Sequence, residues 1–298
     1  MKFKNAEVDM LHGPLIKKLL LFTLPIALSS ILQQLFNAAD TAVVGYFGNK
    51  DALAAVGTNT EIVALIVTVS SGLSIGANIL VANLIGKNRK NEIPSAVQGA
   101  VFCFANIFVQ ASVNGFGETA IAGSTVAMNF EYFTYYIITA FGQTATTFTG
   151  QNHAAGQRER CRKILWLCLL LSTVCSSIPI FTIVLFRSFF SGLLTPDPAV
   201  IESAGVRILC ILLFEPICNL YEIPAGALRG SGHALYPALS TMIGTCAFRI
   251  IWICTVFRAN PTLPLLYHAF PLSWVVTILL VGGGFLVIRC AEKASVKR

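Results

Sequence analysis

The 298-residue chain is 55% hydrophobic and only 12% charged, whereas soluble domains carry about 25% charged residues. One soluble core cannot bury so much apolar surface, and the composition therefore predicts a protein dissolved in a lipid bilayer. The net charge of +7 does not indicate nucleic acid binding, because the basic residues cluster in short loops between apolar segments.

Eight apolar segments are long enough to cross a bilayer, for which a helix needs about 20 mostly apolar residues. We expect an all-α, polytopic membrane helical bundle of about eight transmembrane helices. The first segment resembles a signal peptide, but no small-residue cleavage site precedes Asp40, and we expect a retained helix. In chain order the segments are Pro14–Tyr46, Leu53–Ile85, Pro94–Asn114, Thr119–Gly150, Ile164–Phe190, Val200–Gly226, Leu235–Phe257 and Leu265–Ile288.

The basic residues predict how these helices are oriented. If the N-terminus is cytoplasmic, the outer loops contain only Lys50, Arg187 and Arg258, while Arg207 and Arg249 lie within helices. Every other Lys and Arg then falls in an inner loop or tail, as the positive-inside rule requires. The sequence therefore predicts a multi-pass protein of the cell (inner) membrane with cytoplasmic N- and C-termini.

An internal repeat divides the chain. Tyr46–Ala55 resembles Gly115–Ala122, each with Phe-Gly in an outer loop, and Gly86–Lys90 resembles Gly156–Arg160, each in a basic inner loop. Both copies have the same orientation, so the repeat is parallel. Four helices follow the inner loop of the second copy, whereas the first copy runs almost directly into Pro94, where the second copy begins. We interpret the chain as a longer transporter from which four helices are deleted internally.

Acids at membrane depth usually face a cavity and bind a cation or a proton. Asp40 lies in the first segment, with Asn37 on the same helix face. Glu215 and Glu222 are two helical turns apart near prolines that interrupt the backbone hydrogen bonds, a pattern typical of an ion or cationic-substrate site. The alternatives are structural: Asp40 is wetted at an outer helix end, and Glu222 pairs with Arg249.

Three residues of the fourth segment are candidates for lining a cavity, namely Glu131, Gln143 and Tyr135. The aromatic side chains of Tyr132–Tyr136 can hold an organic cation through cation–π contacts. Hydrogen bonds between helices and simple packing are the alternative explanation for these polar and aromatic residues.

The chain has no enzyme motif. A phosphate loop, a nucleophile elbow and a zinc motif are all absent, so we expect no catalytic residues, no metal site and no bound cofactor. The nine cysteines include no C-x-x-C pair and lie mostly in apolar segments, which favours buried free thiols.

Several motifs together resemble those of the multidrug and toxic compound extrusion (MATE) family, and the resemblance covers nearly the whole chain. They correspond to the family's first helix, its eighth helix with the following loop, the loop after its tenth helix, and its eleventh helix. In this sequence they are Leu24-Pro25 with Asn37-x-x-Asp40 and Gly45, then Gly123–Gln157, Gly226–Gly232 and Arg249–Ile253.

This resemblance implies two six-helix lobes around a cleft that opens to one side at a time. The family's first-helix acid corresponds to Asp40, its tenth-helix glutamate corresponds to Glu222, and Cys218 replaces an aspartate found in some relatives. On this comparison, residues 1–93 are a remnant of the first lobe with two transmembrane helices, and residues 94–298 are a second lobe with six.

The function implied by the resemblance is secondary-active efflux of drugs or small organic cations by antiport with Na⁺ or H⁺. The partners are then the lipid bilayer and these small molecules, with possible self-association and no nucleic acid. Because the deletion removes helices that surround the first-lobe acid in the family, two alternatives stay open. One is a non-transporting relic or assembly partner of a full-length transporter, and the other is a flippase for lipid-linked substrates.

Overall fold

A computed structural model of the chain describes residues 9–59, 63, 66 and 93–296. Within these ranges the secondary structure is helical, without a strand, which confirms the predicted all-α membrane fold. Most of the predicted second segment, Leu53–Ile85, lies outside the described residues, as does the inner loop of the first repeat.

The described helices follow the predicted segments, with interruptions that periodicity alone did not indicate. The helices are α1 (Leu15–Phe47), α2 (50–59), α3 (Ile93–Asn114), α4 (Glu118–Ala154), α5 (Arg158–Leu185), α6 (Arg187–Gly192), α7 (Pro198–Cys210), α8 (Asn219–Gly230), α9 (Leu235–Thr241), α10 (Phe248–Trp252), α11 (Leu263–Tyr267) and α12 (Ala269–Val296). A 3₁₀ segment, Leu212–Cys218, joins α7 to α8, and π-helical segments Met242–Ala247 and Ile253–Phe257 flank α10.

Four helical stretches in the described part of the chain are long and apolar enough to cross a membrane. They are Leu15–Phe47, Arg158–Leu185, Leu235–Phe257 and Leu263–Ile288. The first and second show exposed leucine, isoleucine and phenylalanine side chains along much of their length, as helices facing lipid do. The chain is therefore a polytopic membrane protein, and the total of eight spans stays a prediction.

The central helix is α4, which packs against α1, α5, α7 and α8. It is rich in small residues on its buried faces, which lets neighbouring backbones approach closely. One close approach is to α8, where a Cβ atom on Gly226 would lie 2.5 Å from the carbonyl oxygen of Gly142. This contact explains why the crossing point carries glycine on both helices.

The first-repeat helices pack directly on α4. Leu19 of α1 and Leu53 of α2 are almost completely buried, in two different core clusters that both include α4 side chains. Hydrogen bonds also join α1 to α4, from Thr23 to Thr144 at 2.7 Å and from Gln34 to Asn129 at 3.0 Å. The contact therefore extends along much of the length of α1.

Candidate functional site

A polar cavity of about 90 Å³ lies between α3, α4, α7, the 3₁₀ segment, α8, α10 and α12. Every lining residue belongs to the region predicted as the second lobe. The charged lining residues are Glu131, Glu215, Arg207 and Arg249, and the aromatic ones are Tyr132, Tyr135, Tyr221, Phe270 and Trp274.

One wall of the cavity is a buried ion pair between α4 and α7. The Arg207 guanidinium donates from Nε to Oε1 of Glu131 at 2.6 Å and from Nη2 to Oε2 at 2.8 Å. The two side chains are only 5% and 13% exposed. Arg207 also donates to the Ser124 hydroxyl at 2.6 Å and lies 5.3 Å from the centre of the Tyr267 ring. The bidentate geometry neutralises both charges where water is scarce.

A second acid enters the cavity from the break between α7 and α8. Glu215 lies in the 3₁₀ segment, is 3% exposed, and accepts a hydrogen bond from the Thr134 hydroxyl at 2.5 Å. Pro216 follows it and cannot donate a backbone hydrogen bond, which is why the α-helical ladder stops here.

The buried side-chain amide of Asn219 stabilises the break between α7 and α8. Asn219 is completely buried; its Nδ2 donates to the Pro216 carbonyl at 3.0 Å and to the Ser176 hydroxyl at 3.2 Å. Its Oδ1 accepts from the Ser172 hydroxyl of α5 at 2.5 Å. These bonds tie the break between α7 and α8 to α5.

The other arginine of the lining belongs to α10. Arg249 is 1% exposed, donates to the Ser273 hydroxyl at 3.1 Å and to Asn106 Oδ1 at 3.3 Å, and its guanidinium lies 4.0 Å from the centre of the Phe270 ring. The lining therefore contains two acids and two arginines among aromatic rings.

Tyr135 lines the cavity, as the sequence suggested, and shares a hydrogen bond with Tyr221 of α8. Tyr132, one turn earlier, also faces the cavity and stacks on Tyr136 at 6.4 Å between ring centres. The aromatic run therefore divides between cavity lining and packing.

Glu222 lies outside the cavity lining, although it belongs to the same broken unit as Glu215. Its Oε1 accepts from Nη2 of Arg229 at 2.7 Å, so the suggested pairing with Arg249 is wrong. Its side chain lies against Gly142 of α4. The helical-wheel argument placed both acids on one face, but the 3₁₀ segment changes the rotation per residue between them.

The other sequence candidates are exposed. Asp40 and Asn37 lie on the outer surface of α1, and Gln143 lies on an exposed face of α4, so none of the three lines this cavity. Asn37 donates to Gln34 of its own helix at 3.3 Å. Docking of α1 on α4 through the face of Gln34 turns the face of Asp40 outward, because the two side chains point in different directions around the helix.

Sequence reasoning missed the roles of Arg207, Ser124 and Thr134. An arginine inside an apolar segment was a usable signal, since such residues are rare and pair with acids. The identity of its partner was not predictable, because Glu131 lies on another helix and no periodicity connects the two.

Fold and site together define a polytopic helical membrane protein with an internal, charged cavity. The MatE family model matches this chain over residues 25–105 and 94–254. The chain therefore belongs to the MatE family. The two matches meet at about the point where the second repeat begins, and the partial coverage of the family is consistent with an internal deletion.

The relatives include proteins named as multidrug resistance proteins and one named as a transporter. The chain is 29% identical over 165 residues to "Probable multidrug resistance protein NorM" of Thermotoga maritima, covering 53% of this chain and 34% of that protein. It is 29% identical over 133 residues to "Multidrug resistance protein PmpM" of Pseudomonas aeruginosa, covering 44% and 28%. It is 23% identical over 145 residues to "FAD transporter" of Shewanella oneidensis, covering 45% and 32%. The match spans about a third of each relative's length.

Proposed function

We propose that this chain exports drugs or small organic cations from the cell by antiport with Na⁺ or H⁺. The coupling ion acts at the cavity of Glu131 and Glu215, inside a second lobe formed by residues 94–298. The protein lies in the cell membrane with both termini in the cytoplasm. The observation that carries the proposal is that two acids line one internal cavity of a polytopic membrane protein, since acids buried within such a helical bundle mark ion pathways.

Of the two acids, Glu215 is the better candidate for the coupling residue. Glu131 is already neutralised by the bidentate Arg207, whereas Glu215 has a neutral hydroxyl, that of Thr134, as its hydrogen-bond donor. A buried carboxylate with a neutral donor gains more from binding a cation or a proton than one that already has a guanidinium partner. Glu131 then positions Arg207 and sets the charge of the cavity.

The cavity is large enough for a small ion but too small for a drug-sized substrate. About 90 Å³ is room for a few water molecules or a small ion, whereas pockets for drug-sized ligands measure about 300–1,000 Å³. The described conformation is therefore compatible with an ion-loaded, substrate-free step. Substrate entry requires the helices around the cavity to separate.

Uptake of ethidium into proteoliposomes tests the proposal. A proton gradient and a sodium gradient are imposed separately, and the one that drives uptake identifies the coupling ion. We expect Glu215→Gln to reduce gradient-driven uptake to the level of protein-free liposomes while the protein elutes normally in size-exclusion chromatography. Glu159→Gln is the matched control, because Glu159 is 84% exposed on the inner surface. No gradient-driven uptake by the unmodified protein, or full uptake by Glu215→Gln, would contradict the proposal.

A non-transporting assembly partner is the second candidate function. Transport in this fold requires the two lobes to move relative to each other, and that movement must break the hydrogen bonds from Thr23 and Gln34 to α4. The docking of α1 along α4 therefore favours the assembly role. A flippase for lipid-linked substrates has less support, since the cavity lining contains as many glutamates as arginines and so has no excess of positive charge. A protein that folds and inserts but carries no ethidium under either gradient would favour the assembly role.

A further inference from the structure

A short segment ahead of α1 is built into the helical bundle. Residues 9–13 form neither helix nor strand, yet Met10 is only 8% exposed. Its side chain belongs to a core cluster with Leu19 of α1, Phe148 of α4 and Ile164 of α5. The segment therefore packs against helices from both repeats, at the end of the bundle where α1 begins. We call residues 9–13 the N-terminal latch.

Polar side chains of α4 and α5 hold the latch by its backbone. Asn152 of α4 is completely buried and donates from Nδ2 to the Met10 carbonyl at 3.0 Å. Arg160 of α5 donates from Nη1 to the Gly13 carbonyl at 3.2 Å and from Nη2 to the His12 carbonyl at 3.1 Å. Three carbonyl groups of the latch are therefore bound by side chains of the region predicted as the second lobe.

A lysine ties the latch to α1 as well. Lys18, in the first turn of α1, donates from Nζ to the Asp9 carbonyl at 2.6 Å and to the His12 carbonyl at 2.5 Å. Gly13 makes the turn between the latch and α1 with a φ of 74°, which L side chains rarely adopt. Because the latch is bonded to α1 on one side and to α4 and α5 on the other, α1 cannot move away at this end unless these bonds break.

The contacts of the latch suit a joint that opens and closes. Met10 is the one buried side chain among its five residues. The bonds from Arg160 to the carbonyls of His12 and Gly13 lie at the exposed edge of the bundle, where water can replace them. Hydrogen bonds that exchange with water contribute little net stability each. The latch can therefore detach without the unfolding of a helix.

We propose that the N-terminal latch closes this end of the bundle and that its release lets the first turns of α1 separate from α4 and α5. Thr23, which bonds to Thr144 of α4 at 2.7 Å, lies about 12 Å beyond the start of α1 at Leu15. Release therefore removes the polar hold on the first two turns of α1. In the proposed orientation this end is cytoplasmic, so the latch controls opening toward the cytoplasm. That consequence rests on the proposed function, whereas latch release itself needs no transport.

The first test follows the latch by fluorine NMR in lipid nanodiscs. A trifluoromethyl-phenylalanine replaces His12, whose side chain is 77% exposed, so that docked and detached latches give separate resonances. We expect Arg160→Gln to raise the detached population about tenfold, as the loss of one or two hydrogen bonds does. Met10→Ser, which removes the buried side chain, is expected to act in the same direction. The matched control is Arg162→Gln, because Arg162 is also on α5, is exposed, and is bonded to no atom of the latch.

The second test asks whether the latch holds α1. Hydrogen–deuterium exchange of the backbone amides of residues 15–22 is measured in the same nanodiscs, without an ion gradient or a substrate. We expect exchange to be about tenfold faster in Arg160→Gln and Met10→Ser, and unchanged in Arg162→Gln. Equal detached populations in Arg160→Gln and Arg162→Gln, or a detached latch with unchanged exchange in α1, would overturn the proposal. Both measurements test the latch even if the chain carries no ethidium, so its failure is distinguishable from failure of the proposed function.

Discussion

The ion pair between Glu131 and Arg207 supports a quantitative prediction about the cavity. The change Arg207→Met keeps an unbranched side chain of similar length and removes both hydrogen bonds to Glu131, which is 13% exposed. Removing one partner of a buried pair typically costs 3–5 kcal/mol, because the remaining charge is left uncompensated. We expect about 3 kcal/mol, the lower end of that range, since Glu131 borders a polar cavity.

A double-mutant cycle measures this cost. Unfolding free energies are obtained by SDS titration in mixed micelles for the protein, for Arg207→Met, for Glu131→Met and for the double variant. We expect the double variant to be about 2 kcal/mol more stable than the sum of the single losses predicts, because it leaves no unpaired charge.

A surface ion pair in the first turns of α5 serves as control. Lys163 and Glu159 are 3.1 Å apart, with 64% and 84% of their side chains exposed, and breaking an exposed pair costs about 0–1 kcal/mol. The reasoning is refuted if Arg207→Met costs no more than Lys163→Met, or if the losses at positions 131 and 207 are additive.

Two further predictions concern regions away from the cavity. The hydrogen bond from the backbone N–H of Leu11 is the largest cause of the lowering of the pKa of Asp9 to about 2, so this contact is intact above pH 4 and is lost as the pH falls through about 2. We expect the rate of pepsin cleavage near the N-terminus, normalised to that of an unstructured peptide, to rise as the pH falls from 4 to about 2. Asp9→Asn is expected to remove this pH dependence. An unchanged pH profile in the variant would refute the assignment. Gly226→Ala places a Cβ atom 2.5 Å from the carbonyl oxygen of Gly142, and we expect it to lower the free energy of unfolding by about 1–3 kcal/mol. Gly282→Ala is the control, because its Cβ atom meets no atom within 4 Å, and it should leave the melting temperature nearly unchanged. Equal melting temperatures for the two variants would contradict the close helix contact.

The apolar composition made the helical membrane fold predictable. Bilayer thickness and the need to satisfy backbone hydrogen bonds leave few alternatives for long apolar segments. The bounds of α1 and α3 differ from the predicted ones by one residue at each end at most. The internal repeat and the MATE resemblance were also readable from local motifs, and the family model confirms the family.

The interruptions near Glu215 and on both sides of α10 were harder to predict. Prolines indicated a break between α7 and α8, but its 3₁₀ geometry depends on Asn219 and its partners on α5. That geometry separates Glu215, which enters the cavity, from Glu222, which pairs with Arg229.

By itself, the sequence determined that this is an all-α membrane protein of the MatE family, because hydrophobicity and short motifs act locally along the chain. Only the tertiary structure decided which polar residues share a site. Glu131 finds Arg207 on α7, and Asp40 faces outward, because the rotation of each helix depends on the close packing of small residues and on hydrogen bonds between distant segments. These contacts follow no sequence period, so the cavity emerges only when the helices are assembled.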